Sequence, residues 1–306
     1  MKRTFCSRSL LNEYTTTLSS LSFFLLLFFT SFFGEAQNLN IVSGNTNVPN
    51  SAISNGVLTV PNGNYNLNAD DLAGYLNAAS FTINARSINV NAAITKTDPY
   101  VSTLTLKSKR GGDITITKSI ESTSGRLNLV FWTNYDDDGY SGRIIFNGSS
   151  AISIVTKEGS LVCGGGPATE LFNGITIPTS DAKTWERNAQ GILVDNTTIE
   201  TGRGDVIMRG LSYATGTNNG SSNFGVYLNS STIAATSGDI KIVGEVKGKY
   251  TNGIGINDSG SNLTTTSGDI SFEGIGSDEV GTNDGWRHGV YVGTTENNQT
   301  VKISTT

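Results

Sequence analysis

The chain has 306 residues with 26 acidic and 21 basic side chains, and this net charge of −5 excludes an electrostatic attraction to nucleic acid or to an anionic membrane. Its single histidine, His288, excludes a Ser-His catalytic pair and a multi-histidine metal site. Glycine is abundant (36 residues) and proline is scarce (5), while Asn, Ser and Thr separate short Ile, Leu and Val pairs. This pattern predicts an all-β protein made of many short strands.

Residues 1–36 have the pattern of an export signal. A basic start leads into an apolar run at 18–33, which is too short for a comfortable membrane span, and a Gly-Glu-Ala tripeptide then offers a peptidase site. The alternative is an uncleaved membrane anchor. We expect a secreted or surface-displayed mature chain that begins at Gln37 and has no membrane span. It keeps one cysteine, Cys163, whose apolar neighbours predict a core residue and not a nucleophile.

Residues 37–80 are expected to form an N-terminal cap. Weak alternation up to residue 68 indicates initial strands, and the stretch 69–79 has the only helical pattern in the mature chain. We predict Asp70 as the helix N-cap, with the helix face formed by Leu72, Tyr75 and Leu76. Such a cap covers the apolar end that the first coil of a solenoid otherwise exposes.

Residues 81–306 contain an internal repeat with two markers. A Gly-apolar-x-apolar step begins at 191, 225, 253 and 289, and a Gly-Asp-[Ile/Val]-x-apolar step begins at 204, 238 and 268, with an earlier copy at 112. Strands of constant pattern joined by loops of variable length predict a solenoid, whereas a β-sandwich is the rival fold. At about 20 residues per coil, we expect ten or eleven coils. In each marker we expect the glycine to supply a positive φ and the aspartate to cap its own turn.

The tripeptide Arg203-Gly204-Asp205 matches a receptor-binding motif of extracellular proteins. Two of its three residues are the repeat's own marker, and the tripeptide leads directly into a predicted core strand. A short motif without supporting context is weak grounds for receptor binding. We therefore interpret the tripeptide as structural.

The acidic stretch at 134–139 resembles the first half of a calcium loop. Asn134, Asp136 and Asp138 provide oxygen ligands at alternate positions before a glycine, but Ile145 stands where such a loop has its bidentate glutamate. The alternatives are a calcium site and an exposed acidic loop without a metal. No other cofactor is predicted.

Catalysis and ligand binding can be weighed from the remaining polar and aromatic residues. Polysaccharide hydrolases and lyases built on such solenoids need converging carboxylates, or a carboxylate-bound calcium with a base, and the sequence shows no second acidic cluster at one-coil spacing. We therefore expect no enzymatic activity. Trp185 and Trp286 lie on predicted insertions, where they either stack on sugar rings or pack over the coil edge.

The stretch at 129–166, followed by repeated Thr-Thr-Ser-Gly-Asp-Ile and Gly-Val-Tyr-Leu steps, resembles large bacterial surface exoproteins of the filamentous-haemagglutinin type. The resemblance covers roughly residues 80–306 and implies a right-handed parallel β-helix, no catalytic residues, and adhesion to glycans or proteins of a host or neighbouring cell. That family's N-terminal secretion domain is not evident here. The chain stops within a strand pattern, so we expect further repeats of the same polypeptide after Thr306. The alternative function is a carbohydrate-active β-helix enzyme.

Overall fold

The computed structural model describes residues 37–136, 141–184, 190–214, 223–248, 252–257, 260–276, 288–293 and 302–305. The expected export signal at 1–36 therefore lies outside the described residues. Within the described ranges, no helix is long and apolar enough to cross a membrane. The fold is a parallel β-helix preceded by a small N-terminal segment, which confirms the predicted fold class.

After an N-terminal segment, each coil contributes one strand to each of three sheets, and the fourth coil carries two additional strands. The N-terminal segment contains β1 (Gln37–Val42), β2 (Ile53–Ser54), β3 (Val57–Thr59), β4 (Gly63–Asn68) and the helix α1 (Ala69–Ala78). The first three coils contain β5 (Phe81–Ala85), β6 (Ser87–Val90), β7 (Ile94–Lys96), β8 (Ser102–Ser108), β9 (Ile114–Ile116), β10 (Ile120–Ser122), β11 (Leu127–Thr133), β12 (Ile144–Phe146) and β13 (Ile152–Val155). The fourth contains β14 (Leu161–Phe172), β15 (Ile175–Ser180), β16 (Ala182–Thr184), β17 (Gln190–Asp195) and β18 (Thr197–Gly202). The last three contain β19 (Val206–Ala214), β20 (Phe224–Asn229), β21 (Thr232–Ala235), β22 (Ile240–Gly248), β23 (Asn252–Asn257), β24 (Asn262–Thr265), β25 (Ile270–Ile275), β26 (Val290–Gly293) and β27 (Lys302–Thr305).

Equivalent strands of successive coils pair in parallel to build three sheets. The first sheet has the order β2-β3-β5-β8-β11-β14-β19-β22-β25, the second β26-β23-β20-β17-β12-β9-β6-β1-β4, and the third β27-β24-β21-β18-β13-β10-β7. In the described residues, the strands of these three sheet orders that belong to successive coils pair in parallel, which excludes the rival β-sandwich of antiparallel strands.

The interior is a set of apolar columns that run from coil to coil. Alternate residues of each strand point inward, as the period of two requires. In the first sheet, one such column contains Ile83, Leu106, Phe131, Cys163, Met208, Ile242 and Phe272, which are register partners in successive coils. Cys163 has no exposed surface, so its prediction as a core residue is confirmed.

The coils are longer and fewer than the sequence analysis predicts. Successive members of the column just named are 23, 25, 32, 45, 34 and 30 residues apart, and the described residues after Phe81 form seven coils in place of ten or eleven. The predicted number was wrong because the marked unit of about 20 residues is only the repeated part of a coil, and the loops between units lengthen every coil. At about 4.8 Å per coil, the stack is about 30 Å long.

The N-terminal segment closes one end of the apolar interior. The strand β1 is inserted between β4 and β6, and α1 packs against β7 and β8. Leu72 and Leu76 are fully buried, while Tyr75 is partly exposed and stacks on Phe81 with ring centroids 4.6 Å apart. The helix begins at Ala69, where the predicted stretch begins, but the predicted N-cap is wrong. The side chain of Asn68, not of Asp70, accepts the capping hydrogen bond (2.7 Å, from the Asp70 N–H).

The glycines of the Gly-Asp marker allow close contact between coils. None of Gly204, Gly238 and Gly268 has a positive φ, so the expected conformational role was wrong. A Cβ placed on Gly238 would lie 2.0 Å from the carbonyl oxygen of Gly204, and one on Gly268 would lie 2.2 Å from that of Gly238. Only glycine lets these corners stack. The earlier marker copy at Gly112 leads into β9 and therefore belongs to the second sheet, not the first.

The aspartates of the marker bond between coils and do not cap their own turns. The Asp239 N–H donates to Oδ1 of Asp205 at 2.8 Å, and the Asp269 N–H donates to Oδ1 of Asp239 at 2.8 Å. Each carboxylate therefore satisfies a backbone donor of the next coil. Asp205 leads directly into β19, and Arg203 pairs only loosely with Glu158 (3.6 Å), so the geometry gives the Arg-Gly-Asp tripeptide a role in the repeat.

Candidate functional site

A β-hairpin interrupts the fourth coil and folds over the outer face of the first sheet. We call residues 166–180 the flap. The strand β14 pairs with β19 over residues 161–163, then continues into the flap, where β15 pairs with it antiparallel. The strand β16 then resumes parallel pairing with β19. Gly166 has φ +76°, and a Cβ on Gly165 would lie 2.4 Å from the Asp181 carbonyl, so glycine is required where the chain turns outward.

The flap is held down by a second hydrophobic cluster outside the β-helix interior. Its buried members are Val130, Trp132, Val162, Ile177 and Ile207, and residues of the flap and of the β11 end pack around them. The indole N–H of Trp132 donates to the Gly166 carbonyl at 2.7 Å. Burial of these side chains fixes the flap on the sheet, because apolar area removed from water stabilises by about 25 cal/mol per Å².

A groove of about 370 Å³ lies between the flap tip and the neighbouring coils. Its lining residues come from β5, β8 and β11 on one side and from the flap on the other: Thr82, Thr103, Thr105, Lys107, Trp132, Gly174, Ile175 and Thr176. Four of these are threonines, three of them outward-facing residues of the first sheet. The volume falls in the ~300–1,000 Å³ range of ligand sites, and the hydroxyls offer both donors and acceptors.

Lys107 forms one wall of the groove together with aromatic rings. Its ammonium lies 4.0 Å from the ring centroid of Trp132 and 5.9 Å from that of Tyr135. Burial lowers the pKa of Lys107 below its usual value. The pKa of Tyr135 is raised, first by burial and second by the negative charge of Asp136. Cation–π contact compensates part of the lost hydration of the ammonium.

The predicted calcium ligands are only partly described. Asn134 is fully buried at φ +51°, whereas Asp136 is exposed and its Oδ1 accepts a hydrogen bond from the Arg110 N–H at 3.4 Å. Asp138 lies outside the described residues. The described parts of the chain contain no group of three or more His, Cys, Asp or Glu side chains that fits a metal ion. The calcium site stays a prediction.

The predicted glycan-stacking residues Trp185 and Trp286 also lie outside the described residues. Sequence reasoning missed Trp132, although a signal was present. In the stretch Leu-Val-Phe-Trp at 129–132, strand alternation places Leu129 and Phe131 in the core and directs Trp132 outward. In the structure, the flap packs over the outward-facing Trp132.

Arg143 is the basic residue that follows the acidic stretch 134–139 in the sequence, and it forms an ion pair with Asp113. Its guanidinium donates to Oδ2 of Asp113 from Nε (3.0 Å) and Nη2 (2.6 Å), and its backbone N–H donates to Oδ1 of the same residue (2.8 Å). This contact joins the second and third coils. Arg143 therefore has a structural role in joining these two coils.

A mixed charge cluster that the sequence analysis missed follows the flap. Asp181 precedes β16, Arg209 lies on β19, and Glu245 and Lys247 lie on β22, with a 3.3 Å ion pair between the last two. The pKa of Asp181 is raised, first by burial and then by Glu245, while Arg209 and the lysines oppose the shift. These residues are far apart in sequence, and only the coil register brings their charges together.

Comparison of the chain with protein-family models, with curated proteins and with solved structures finds no match to any of them.

Proposed function

We propose that this protein is an exported bacterial surface adhesin, non-catalytic, that binds glycans in the groove beside the flap. The proposal of export rests on the pattern at 1–36, and that of adhesion rests on the resemblance to exoproteins of the filamentous-haemagglutinin type. The parallel β-helix supports it by providing a stack of coils that presents loops and outer faces to other molecules.

The threonine-floored groove is the observation that carries the proposal. Thr82, Thr103 and Thr105 stand on adjacent strands of a rigid sheet, so their hydroxyls are fixed relative to one another. Sugars are recognised through many hydroxyl groups, and a fixed array of donors and acceptors satisfies them with little loss of conformational entropy. Trp132, covered by the flap and by Lys107, serves as a wall of the groove and does not offer a free ring face.

The test is binding of the purified protein to a glycan panel, followed by titration calorimetry with the best binder. Thr105→Val removes one groove hydroxyl and keeps the side-chain shape, and we expect it to weaken binding about five-fold, as for one net hydrogen bond. Thr115→Val is the matched control, because Thr115 is also a partly buried outward residue of a strand but lies in the second sheet. Equal affinity of the Thr105→Val variant and the wild type would place binding elsewhere. Absence of any glycan ligand would favour a purely structural stalk.

The second candidate function is a carbohydrate-active enzyme, and one observation favours it. Asp181 and Glu245 are two carboxyl groups on the face that carries the groove, and the raised pKa of Asp181 is the property a glycosidase acid needs. The experiment is release of reducing ends from polysaccharides by the wild type and by Asp181→Asn and Glu245→Gln. Turnover that both variants abolish would replace the adhesin proposal. Binding without turnover supports it.

A further inference from the structure

Among the described residues that line the groove, Lys107 is the only one with a charged side chain. Within the described part of the chain it has no carboxylate partner, and the causes of its lowered pKa include no nearby acid. Most partly buried cations are paired, because removing an ammonium from water costs free energy that an opposite charge recovers. The groove therefore holds a positive charge that no carboxylate in the described part of the chain neutralises.

The position of this charge is fixed by its surroundings. The ammonium lies over the Trp132 ring, and that ring is held by the hydrogen bond to Gly166 and by the flap cluster. On the opposite side of the groove, Ile175 and Thr176 of the flap tip add one apolar and one hydroxyl contact. A ligand bound in the groove would therefore contact the Lys107 ammonium at one wall, the threonine hydroxyls on the floor, and Ile175 and Thr176 at the other wall.

We propose that the groove selects glycans that carry a carboxylate group. This inference rests on the proposed function, because it names the ligand class of the same site. The sugar carboxylate accepts a charge-assisted hydrogen bond from the Lys107 ammonium, and its ring hydroxyls bond to the threonines of the floor. Uronic acids and sialic acids share this chemistry, and they differ in where the carboxylate is attached to the ring.

The experiment compares ligands that differ only in charge, with the purified protein. One arm uses polygalacturonate against its fully methyl-esterified form, and the other uses sialyllactose against its methyl ester. We expect the wild type to bind at least one charged probe about ten-fold or more tightly than its neutral counterpart. Lys107→Gln should reduce that preference to three-fold or less. Lys241→Gln is the matched control, because Lys241 is an outward lysine of the same sheet outside the groove.

The outcomes separate this inference from the proposed function. If the wild type binds the charged and neutral probes equally, the carboxylate inference is overturned and glycan binding stands. If Lys241→Gln loses the preference as fully as Lys107→Gln, the selectivity is general electrostatic attraction and the inference is again overturned. If no glycan of the panel binds, neutral or acidic, both the inference and the proposed function fail. A preference confined to the polygalacturonate arm identifies uronates as the ligand class, and one confined to sialyllactose identifies sialic acids.

Discussion

Replacing Gly238 with alanine tests whether close contact at the coil corners holds the stack together. The added methyl carbon would lie 2.0 Å from the carbonyl oxygen of Gly204, whereas an ordinary contact begins at 3.4 Å. The coils must therefore move apart by more than 1 Å at this corner. Two hydrogen bonds of 2.8 Å cross the same junction, from the Val206 N–H to the Asp239 carbonyl and from the Asp239 N–H to the Asp205 carboxylate.

The expected cost follows from these contacts. Each broken hydrogen bond removes about 1 kcal/mol of net stability, and forcing a methyl group into a filled space costs about 1–3 kcal/mol. We expect Gly238→Ala to lower the free energy of unfolding by about 3 kcal/mol. Gly74→Ala makes the same chemical change in α1, where a Cβ meets nothing within 4 Å and φ is not positive. That control should raise stability by about 0.5–1 kcal/mol, because alanine is the better helix former.

Urea unfolding followed by far-ultraviolet circular dichroism measures both variants, and hydrogen exchange of the Val206 and Asp239 amides locates the damage. Exchange at these two amides should accelerate in Gly238→Ala, while amides of the first two coils stay protected, because each coil contacts only its neighbours. A Gly238→Ala protein within about 0.5 kcal/mol of the wild type, measured beside a normal Gly74→Ala control, would refute the close-contact argument.

Three further predictions follow from buried or exposed charges and from the buried thiol. Cys163 should resist alkylation in the folded protein and react fully in urea, because it is fully buried and burial raises the pKa of its thiol. Peptide mass spectrometry measures the labelling, and rapid labelling of the native protein would contradict this prediction. Burial lowers the pKa of Lys96, a fully buried residue whose ammonium donates to the Asp98 carbonyl, so the unfolded chain holds the proton up to a higher pH. The stability of the wild type relative to Lys96→Met should therefore rise as pH increases from 7 toward the unfolded lysine pKa of about 10.4, and a flat difference between pH 7 and 10 in thermal melts would refute the assignment. Arg203→Ala should change the free energy of unfolding by less than about 0.5 kcal/mol, because the Arg203 side chain is 73% exposed and its 3.6 Å contact with Glu158 is screened by water. The variant should also leave cell attachment unchanged. Loss of attachment would instead support receptor binding by the Arg-Gly-Asp tripeptide.

Much of the fold was predictable because strand alternation and the repeat are local features. The markers at Gly204, Gly238 and Gly268 predict that Val206, Ile240 and Ile270 are equivalent, and the structure pairs these three residues in register. What the sequence does not contain is the identity of the atom opposite each glycine. Glycine is needed both where φ is positive and where two backbone segments approach closely, and only the structure of the stacked coils shows which of the two applies.

The site was harder to predict because its parts are separated by whole coils. Lys107 and Trp132 are register partners on adjacent coils, 25 residues apart, so their contact requires the coil length to be known. The flap was missed because Ile175 and Ile177 have the same alternating apolar spacing as a strand of the interior. These side chains pack on the outer face of the first sheet. An alternating pattern does not show whether the apolar side of a strand packs on the outer face of a sheet or in the interior.

The unequal coil lengths determine how this protein behaves under mechanical load. Hydrogen bonds between coils run along the stack, so tension applied in that direction opens them one coil after another. An extended chain spans about 3.4 Å per residue. The 23-residue coil therefore releases about 80 Å when it peels away, and the 45-residue coil that carries the flap releases about 150 Å. A molecule tethered at one end and bound at the other would lengthen in discrete steps and dissipate a sudden pull before the attachment breaks.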